Sequence, residues 1–315
     1  MSEFSSTDAA LEGLRVSREH PLAVLWWWGA NVAASLAAFA LWTLPPYRRV
    51  AAMIPQFQSV GAAMQLNPTD QALANQYLAL VMQALPPMLL FAAITMVLRT
   101  VLVTAVLRAA LRPGDRAFGY LRVSMDELRQ ILLSFLIVVV FLGYAAVVSL
   151  VSWFVTAIIA GLIGGSGATF LAGAMAFVLV GLAFLYPAVR LSLAPAMTFA
   201  DGKISLFRSW PLTKGRFWPL FGAYLVAGVF AVMIVGFLRV GETIVNLRRP
   251  PELTQNMAEL LSPLLIGFFL FNGLFGALFV AVTTAPGASA FRQLTGRVGA
   301  PSAPKSNSGS PWGQA

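Results

Sequence analysis

The sequence predicts an all-α polytopic membrane protein, a bundle of about six transmembrane helices with short interfacial amphipathic helices. Three observations predict it. Of 315 residues, 58% are hydrophobic and 10% are charged, whereas soluble domains carry about 25% charged residues. Too little polar surface remains to coat a water-soluble globule, and a lipid-facing bundle needs far less. Two uncharged runs, 22–44 and 131–189, are each long enough to cross a bilayer at least once. Finally, Lys and Arg cluster beside alternate apolar spans, as the positive-inside rule requires.

Residues 1–21 mix Glu3, Asp8, Glu12 and Glu19 with Arg15 and Arg18. That is not the basic start of a cleaved signal peptide, so 1–21 is expected to be a cytoplasmic segment followed by a retained first span. The span 22–44 rises about 34 Å. Trp26, Trp27 and Trp28 at one end and Trp42 at the other predict an aromatic belt at both faces. His20, the only histidine, reads as a solvated flanking residue.

Pro45-Pro46 is expected to stop that helix, with Arg48 and Arg49 in a polar stretch beyond it. Asn67-Pro68-Thr69-Asp70 reads as a new start: Asn67 as N-cap, Pro68 in the first turn, Asp70 near the positive dipole end. A short amphipathic helix to about Leu85, a bend at Pro86-Pro87 and a second span to residue 107 follow. Arg99 is the one charge of that span.

The 59 uncharged residues from Ile131 to Val189 would form about 88 Å of helix. They must reverse, and Gly164-Gly165-Ser166-Gly167 is the predicted turn between spans 131–155 and 169–189. Spans at 217–238 and 260–284 complete six, giving a transmembrane domain over 22–298. The Pro-, Ser- and Gly-rich 299–315 reads as a disordered tail. With Arg99 set aside, 15 Lys and Arg residues fall on one side and five (Arg48, Arg49, Arg239, Arg248, Arg249) on the other. Both termini are therefore expected in the cytoplasm.

The loop between spans two and three holds a capping box, with Ser124 as cap and Glu127 reaching back to its amide. Asp126 and Glu127 are expected to begin the third span and to pair with Arg122 or Arg129. In the loop between spans four and five, Asp201-Gly202 predicts a turn, Ile204 to Trp210 an interfacial helix, and Thr213 a cap for the fifth span. Arg208, Trp210, Lys214 and Arg216 form a candidate lipid-headgroup site, since rings and cations together suit headgroup depth. Residues 107–129 (LRAALRPGDRAFGYLRVSMDELR) and 190–221 (RLSLAPAMTFADGKISLFRSWPLTKGRFWPLF) resemble a family of uncharacterised bacterial inner-membrane proteins. The second stretch is also similar to the membrane domain attached to some glycerophosphoryl diester phosphodiesterases. The resemblance implies a fold and a location. These 315 residues hold no soluble phosphodiesterase domain, so that reaction is not carried over.

Arg99 and Arg190 are the candidate intramembrane or helix-end polar residues. Mid-bilayer arginine costs about 2.5–3.5 kcal/mol, so Arg99 either faces protein or water or lies nearer the interface. Thr100, Thr104, Arg108 and Arg112 recur every four residues, the pattern of a helix extending with a polar stripe into the interface. Arg99 or Arg108 would correspond to Arg190 if the two loops descend from a duplication. Gly273 and Gly276, with Asn272, suit close helix contact.

Chemistry is poorly provided for. Cysteine is absent and histidine single, which leaves no clustered metal site and no His-based nucleophile system. No cofactor, no nucleic-acid partner and no enzymatic activity are expected. The expected partners are membrane lipids, anionic ones above all, and other membrane proteins. A protein that organises either through its basic, Trp-rich loops is the first reading; the alternative is a permease or exporter with a cavity around Arg99 and Arg190.

Overall fold

The computed structural model describes residues 4–67, 70–114, 117–163, 166–248 and 262–296. Its elements are α1 (Ser6–Glu19), α2 (Pro21–Trp42), α3 (Pro45–Leu66), α4 (Gln71–Leu111), α5 (Met125–Ile163), α6 (Ser166–Leu191), α7 (Ala194–Asp201), α8 (Ser209–Leu212), α9 (Phe217–Arg248) and α10 (Pro263–Thr295). No strand occurs among the described residues. Six helices, α2, α4, α5, α6, α9 and α10, are long and apolar enough to cross a membrane. Their outward faces carry large apolar side chains such as Leu142, Phe177 and Val232, each more than half exposed. Such a surface is stable against hydrocarbon and not against water. The chain is an all-α polytopic bundle and an integral membrane protein.

The alternation of spans brings one set of helix ends together. The start of α2 meets the loop 117–120 through a Trp27 Nε1 bond to the Gly119 carbonyl, 2.8 Å. The end of α10 meets α4 where Arg292 Nη1 donates to the Ala110 carbonyl, 2.9 Å. The main apolar core lies here, around Trp27, Leu107, Leu111, Leu193, Phe199, Leu220 and Phe291. Because the basic connections converge on it, this is called the basic end.

Several expectations for the first third of the chain are corrected. Within the expected N-terminal segment, residues 6–19 form helix α1, with Ala9, Ala10, Gly13 and Val16 buried on one face. It packs along α10 so closely that a Cβ on Gly13 would lie 2.6 Å from the Ala281 carbonyl oxygen. The serine-first sequence supplies its cap, Ser5 Oγ accepting from the Asp8 amide at 3.2 Å. Pro45-Pro46 opens a helix instead of only ending one: α3 carries proline in its first turn, where the missing N–H costs nothing. Asn67 closes α3, and Asp70 is the N-cap of α4, accepting from the Ala72 and Leu73 amides at 2.8 and 3.3 Å. Pro68 and Thr69 lie outside the described residues.

The amphipathic helix and second span expected at 71–85 and 86–107 are one helix of 41 residues, about 61 Å long. It runs through Pro86-Pro87, although interior proline costs about 3 kcal/mol or more. Packing offsets this, for α3 lies antiparallel along its first half with Phe57 edge-on to Tyr77 at 5.6 Å. Tyr47 and Trp42 both meet Phe91, fixing the corner where α2 passes into α3.

The remaining spans start close to where they were expected, and α5, α9 and α10 run further at their ends. α5 and α6 pair as a hairpin, with Tyr144 OH donating to the Ala183 carbonyl at 3.0 Å. Of the predicted turn, Ser166 and Gly167 belong to the first turn of α6, and Gly164 and Gly165 lie outside the described residues, as do Arg116, Arg249 and the tail 299–315. α9 continues ten residues past 238, adding the exposed pair Arg239–Glu242 at 2.7 Å. α2 crosses α10 at Gly273, where a Cβ would come within 2.4 Å of Val32 Cγ2.

Candidate functional site

The basic end is built around two arginines at helix C-termini, Arg108 on α4 and Arg190 on α6. Arg108 is 1% exposed. Its guanidinium donates to the Tyr120 carbonyl and to Glu127 Oε1, both at 2.5 Å. Glu127 is equally buried, and its other oxygen accepts from the Ser124 amide at 2.9 Å and the Ser124 hydroxyl at 2.5 Å. The carboxylate that closes the capping box thus also neutralises Arg108, and its ion-pair partner is neither Arg122 nor Arg129. Asp126 takes that part, pairing with Arg129 at 3.1 Å and Arg112 at 3.2 Å. Arg112 lies over the Phe199 ring, 4.5 Å from its centroid, and donates to the Phe199 carbonyl at 3.2 Å. The stripe Thr100, Thr104, Arg108 is buried against neighbouring helices and does not face the interface: Thr100 Oγ1 reaches Ser134 Oγ at 3.3 Å.

Arg108 also holds a strained loop. Phe118, Gly119 and Tyr120 all have positive φ (50, 64 and 67°), and left-handed non-glycine residues cost on the order of 1 kcal/mol each or more. The Gly119 carbonyl is tied to Trp27, the Tyr120 carbonyl to Arg108, and the Tyr120 ring meets His20 edge-on at 5.5 Å. Two expectations change here. Trp27 is 1% exposed, so of the tryptophan triplet only Trp26, half exposed, keeps an outward position, while Trp28 Nε1 bonds the Leu270 carbonyl at 2.8 Å. His20 joins α1 to α2 against Tyr120 instead of standing in solvent.

A further ion pair joins α1 to α10. Glu12 of α1, 2% exposed, is bonded to Arg292 of α10 and to Arg15. The Ser5 amide donates to Gln293 Oε1 at 2.9 Å and the Ser6 hydroxyl to the Pro219 carbonyl at 2.9 Å. Sequence reasoning missed this latch; the signal was the Ala9/Ala10/Gly13/Val16 face with Glu12 on the same side.

Around Arg190 the chemistry is neutral. The guanidinium donates to the Trp210 carbonyl and Thr213 Oγ1, each at 3.2 Å, and to Tyr186 OH at 3.0 Å, with the Tyr186 and Trp210 rings at 5.2 and 5.7 Å. Thr213 therefore serves Arg190 and closes α8; it does not cap the fifth span. The expected interfacial helix shrinks to the four residues of α8, preceded by α7, whose C-cap Gly202 (φ +62°) makes the predicted turn. Of the four candidate headgroup residues, Arg208 pairs with Asp201 at 3.1 Å and Trp210 is committed to Arg190 and Tyr186. Lys214 is exposed and Arg216 half-buried.

Arg99 stands apart from Arg190. It lines a cavity of about 290 Å³ between α2, α4 and α10, with Asn31, Ser35, Thr95 and Phe279. Arg190 is absent from this lining, so the two arginines do not share a cavity. Among the described residues no group of three His, Cys, Asp or Glu side chains could hold a metal ion. The fold and this ion-paired end define the class, a polytopic helical membrane protein. No family model, curated protein or solved structure matches the chain.

Proposed function

We propose that the protein is a non-enzymatic inner-membrane protein of the bacterial kind that the resemblance at 107–129 and 190–221 implies. Its basic end faces the cytoplasm and gathers anionic lipids, and through them partner proteins. The observation that carries this reading is how the carboxylates of that end are used. Glu12, Asp126, Glu127 and Asp201 are all bound to arginines of the protein itself. Lys203 and Lys214 stay exposed beside the outward rings of Phe207 and Trp218. Where four acids are bound by the protein's own arginines and cations and rings are turned outward, the surface attracts anionic headgroups at about 1 kcal/mol per cation, opposed only by the exposed Asp8 and Glu19 among the described acids of this end. The test is to replace Arg208, Lys214 and Arg216 together with Gln and quantify, by mass spectrometry, the phosphatidylglycerol and cardiolipin that co-purify. We expect a marked fall relative to neutral phospholipid. Unchanged retention removes the reading.

A further inference from the structure

The cavity around Arg99 is not used by the reading above, and its chemistry is specific. We propose that Asn31, Ser35 and Arg99 form an intramembrane site for the oxyanion head of a single-chain amphiphile, a carboxylate or a phosphate monoester on one alkyl tail.

The argument starts from charge. Arg99 sits nine residues before Arg108 on α4, about 13 Å deeper into the bundle, and eight residues after Phe91, which marks the opposite corner. At that depth a guanidinium needs a counter-charge or water. The protein supplies no counter-charge: α2 carries no acidic residue, α10 none, and Arg99 makes no ion pair or hydrogen bond among the described residues. Its one contact of note is the Phe279 ring, 5.6 Å from the guanidinium carbon, which leaves the fork of donors free. Arg99 is exposed, hence reachable from outside the bundle.

The neighbours fit an oxyanion. Asn31 and Ser35 are one turn apart on α2 and line the same cavity as Arg99. Asn31 Nδ2 has no hydrogen-bond partner and is packed against α10, where a Cβ on Gly276 would lie 2.7 Å from it, so the amide must rotate to offer a donor to a ligand. Thr95, by contrast, donates its hydroxyl to the Phe91 carbonyl at 2.9 Å and keeps only acceptor capacity. Leu98, Leu102 and Val280 supply an apolar wall for a chain. The cavity volume, about 290 Å³, lies at the lower edge of ordinary ligand pockets. It takes a head and the first carbons of one tail, with the remainder of the tail in the bilayer.

The test uses the full-length protein in nanodiscs of phosphatidylcholine, with a fluorescent fatty acid as probe and palmitate, lysophosphatidate, lysophosphatidylcholine and hexadecanol as competitors. We expect saturable binding that Arg99→Gln weakens about tenfold or more, as loss of a charge-assisted bidentate contact should, and that Arg99→Lys partly keeps. Ser35→Trp, which fills the cavity and leaves Arg99 in place, should abolish it. The Arg208, Lys214 and Arg216 to Gln variant should bind normally, which separates this site from the basic end. Displacement by palmitate assigns a carboxylate ligand and displacement by lysophosphatidate a phosphate ligand. Displacement by hexadecanol, failure of both acids to compete, or equal non-saturable uptake by wild type and Arg99→Gln overturns the proposal.

Discussion

Arg108 and Arg190 occupy equivalent places, each at the last turns of a spanning helix and each anchoring the connection that follows, yet they are satisfied in opposite ways. Arg108 is neutralised by Glu127, a full ion pair out of contact with solvent. Arg190, 8% exposed, meets only a carbonyl, two hydroxyls and two rings. The first connection is short and strained, with Phe118 and Tyr120 in the left-handed region, and an ionic clamp fixes it. The second is longer, builds α7 and α8, and spreads the same task over neutral groups. A guanidinium can therefore organise a helix end by charge pairing or by its fork of donors and its flat faces, and the surroundings decide which.

The comparison is most exposed to a break at Glu127. Glu127→Ala leaves Arg108 charged and buried, for which the expected loss is about 3–5 kcal/mol, whereas replacing both partners by Met and Leu removes the stranded charge and should recover part of that loss, the capping box and the Tyr120 carbonyl bond staying lost. Thermal unfolding of the purified protein in detergent reads both. Arg190→Ala removes three bonds to neutral acceptors and should cost about 1–3 kcal/mol. Arg190→Lys should recover little of it, since an ammonium cannot match the fork or the stacking. If Glu127→Ala proves no worse than Arg190→Ala, charge pairing is not what separates the two ends. The smallest effect belongs to Arg208→Ala: its pair with Asp201 leaves the arginine side chain 68% exposed, and such surface pairs contribute less than about 1 kcal/mol.

How far the sequence could be read depended on what each signal measured. Hydrophobic runs report the length of helix that lipid can accept, and the six spans follow from them. Local hydrogen-bond chemistry was legible where it closes within a few residues, as in the Ser124–Glu127 contact at 2.9 Å or the Gly202 turn. It misled where proline was read as a stop: Pro45-Pro46 both ends α2 and begins α3, and Pro86-Pro87 is carried inside α4. In Asn67-Pro68-Thr69-Asp70 the cap was expected at Asn67, and Asp70 holds the position instead because it places its carboxylate on two free amides.

The candidate headgroup residues show the other limit. Side by side in sequence, Arg208, Trp210, Lys214 and Arg216 look like one basic aromatic cluster. The fold spends Trp210 on Arg190 and Arg208 on Asp201, because α7 and α8 turn those groups toward the bundle. Glu12 is the reverse case, a residue read in sequence only as one charge of the N-terminal segment and found 2% exposed against Arg292, 280 positions away.

By itself the sequence determined that this chain belongs in a membrane, that six stretches are long and apolar enough to cross one, and where along the chain positive charge gathers, because those properties follow from composition and run length. Only the tertiary structure decided which charges are neutralised. It matched Glu12 with Arg292 and Glu127 with Arg108, and it left Arg99 lining a cavity with no counter-ion among the described residues. Ion pairing is a matter of distance in space, and in a helical bundle that distance is set by which faces pack together.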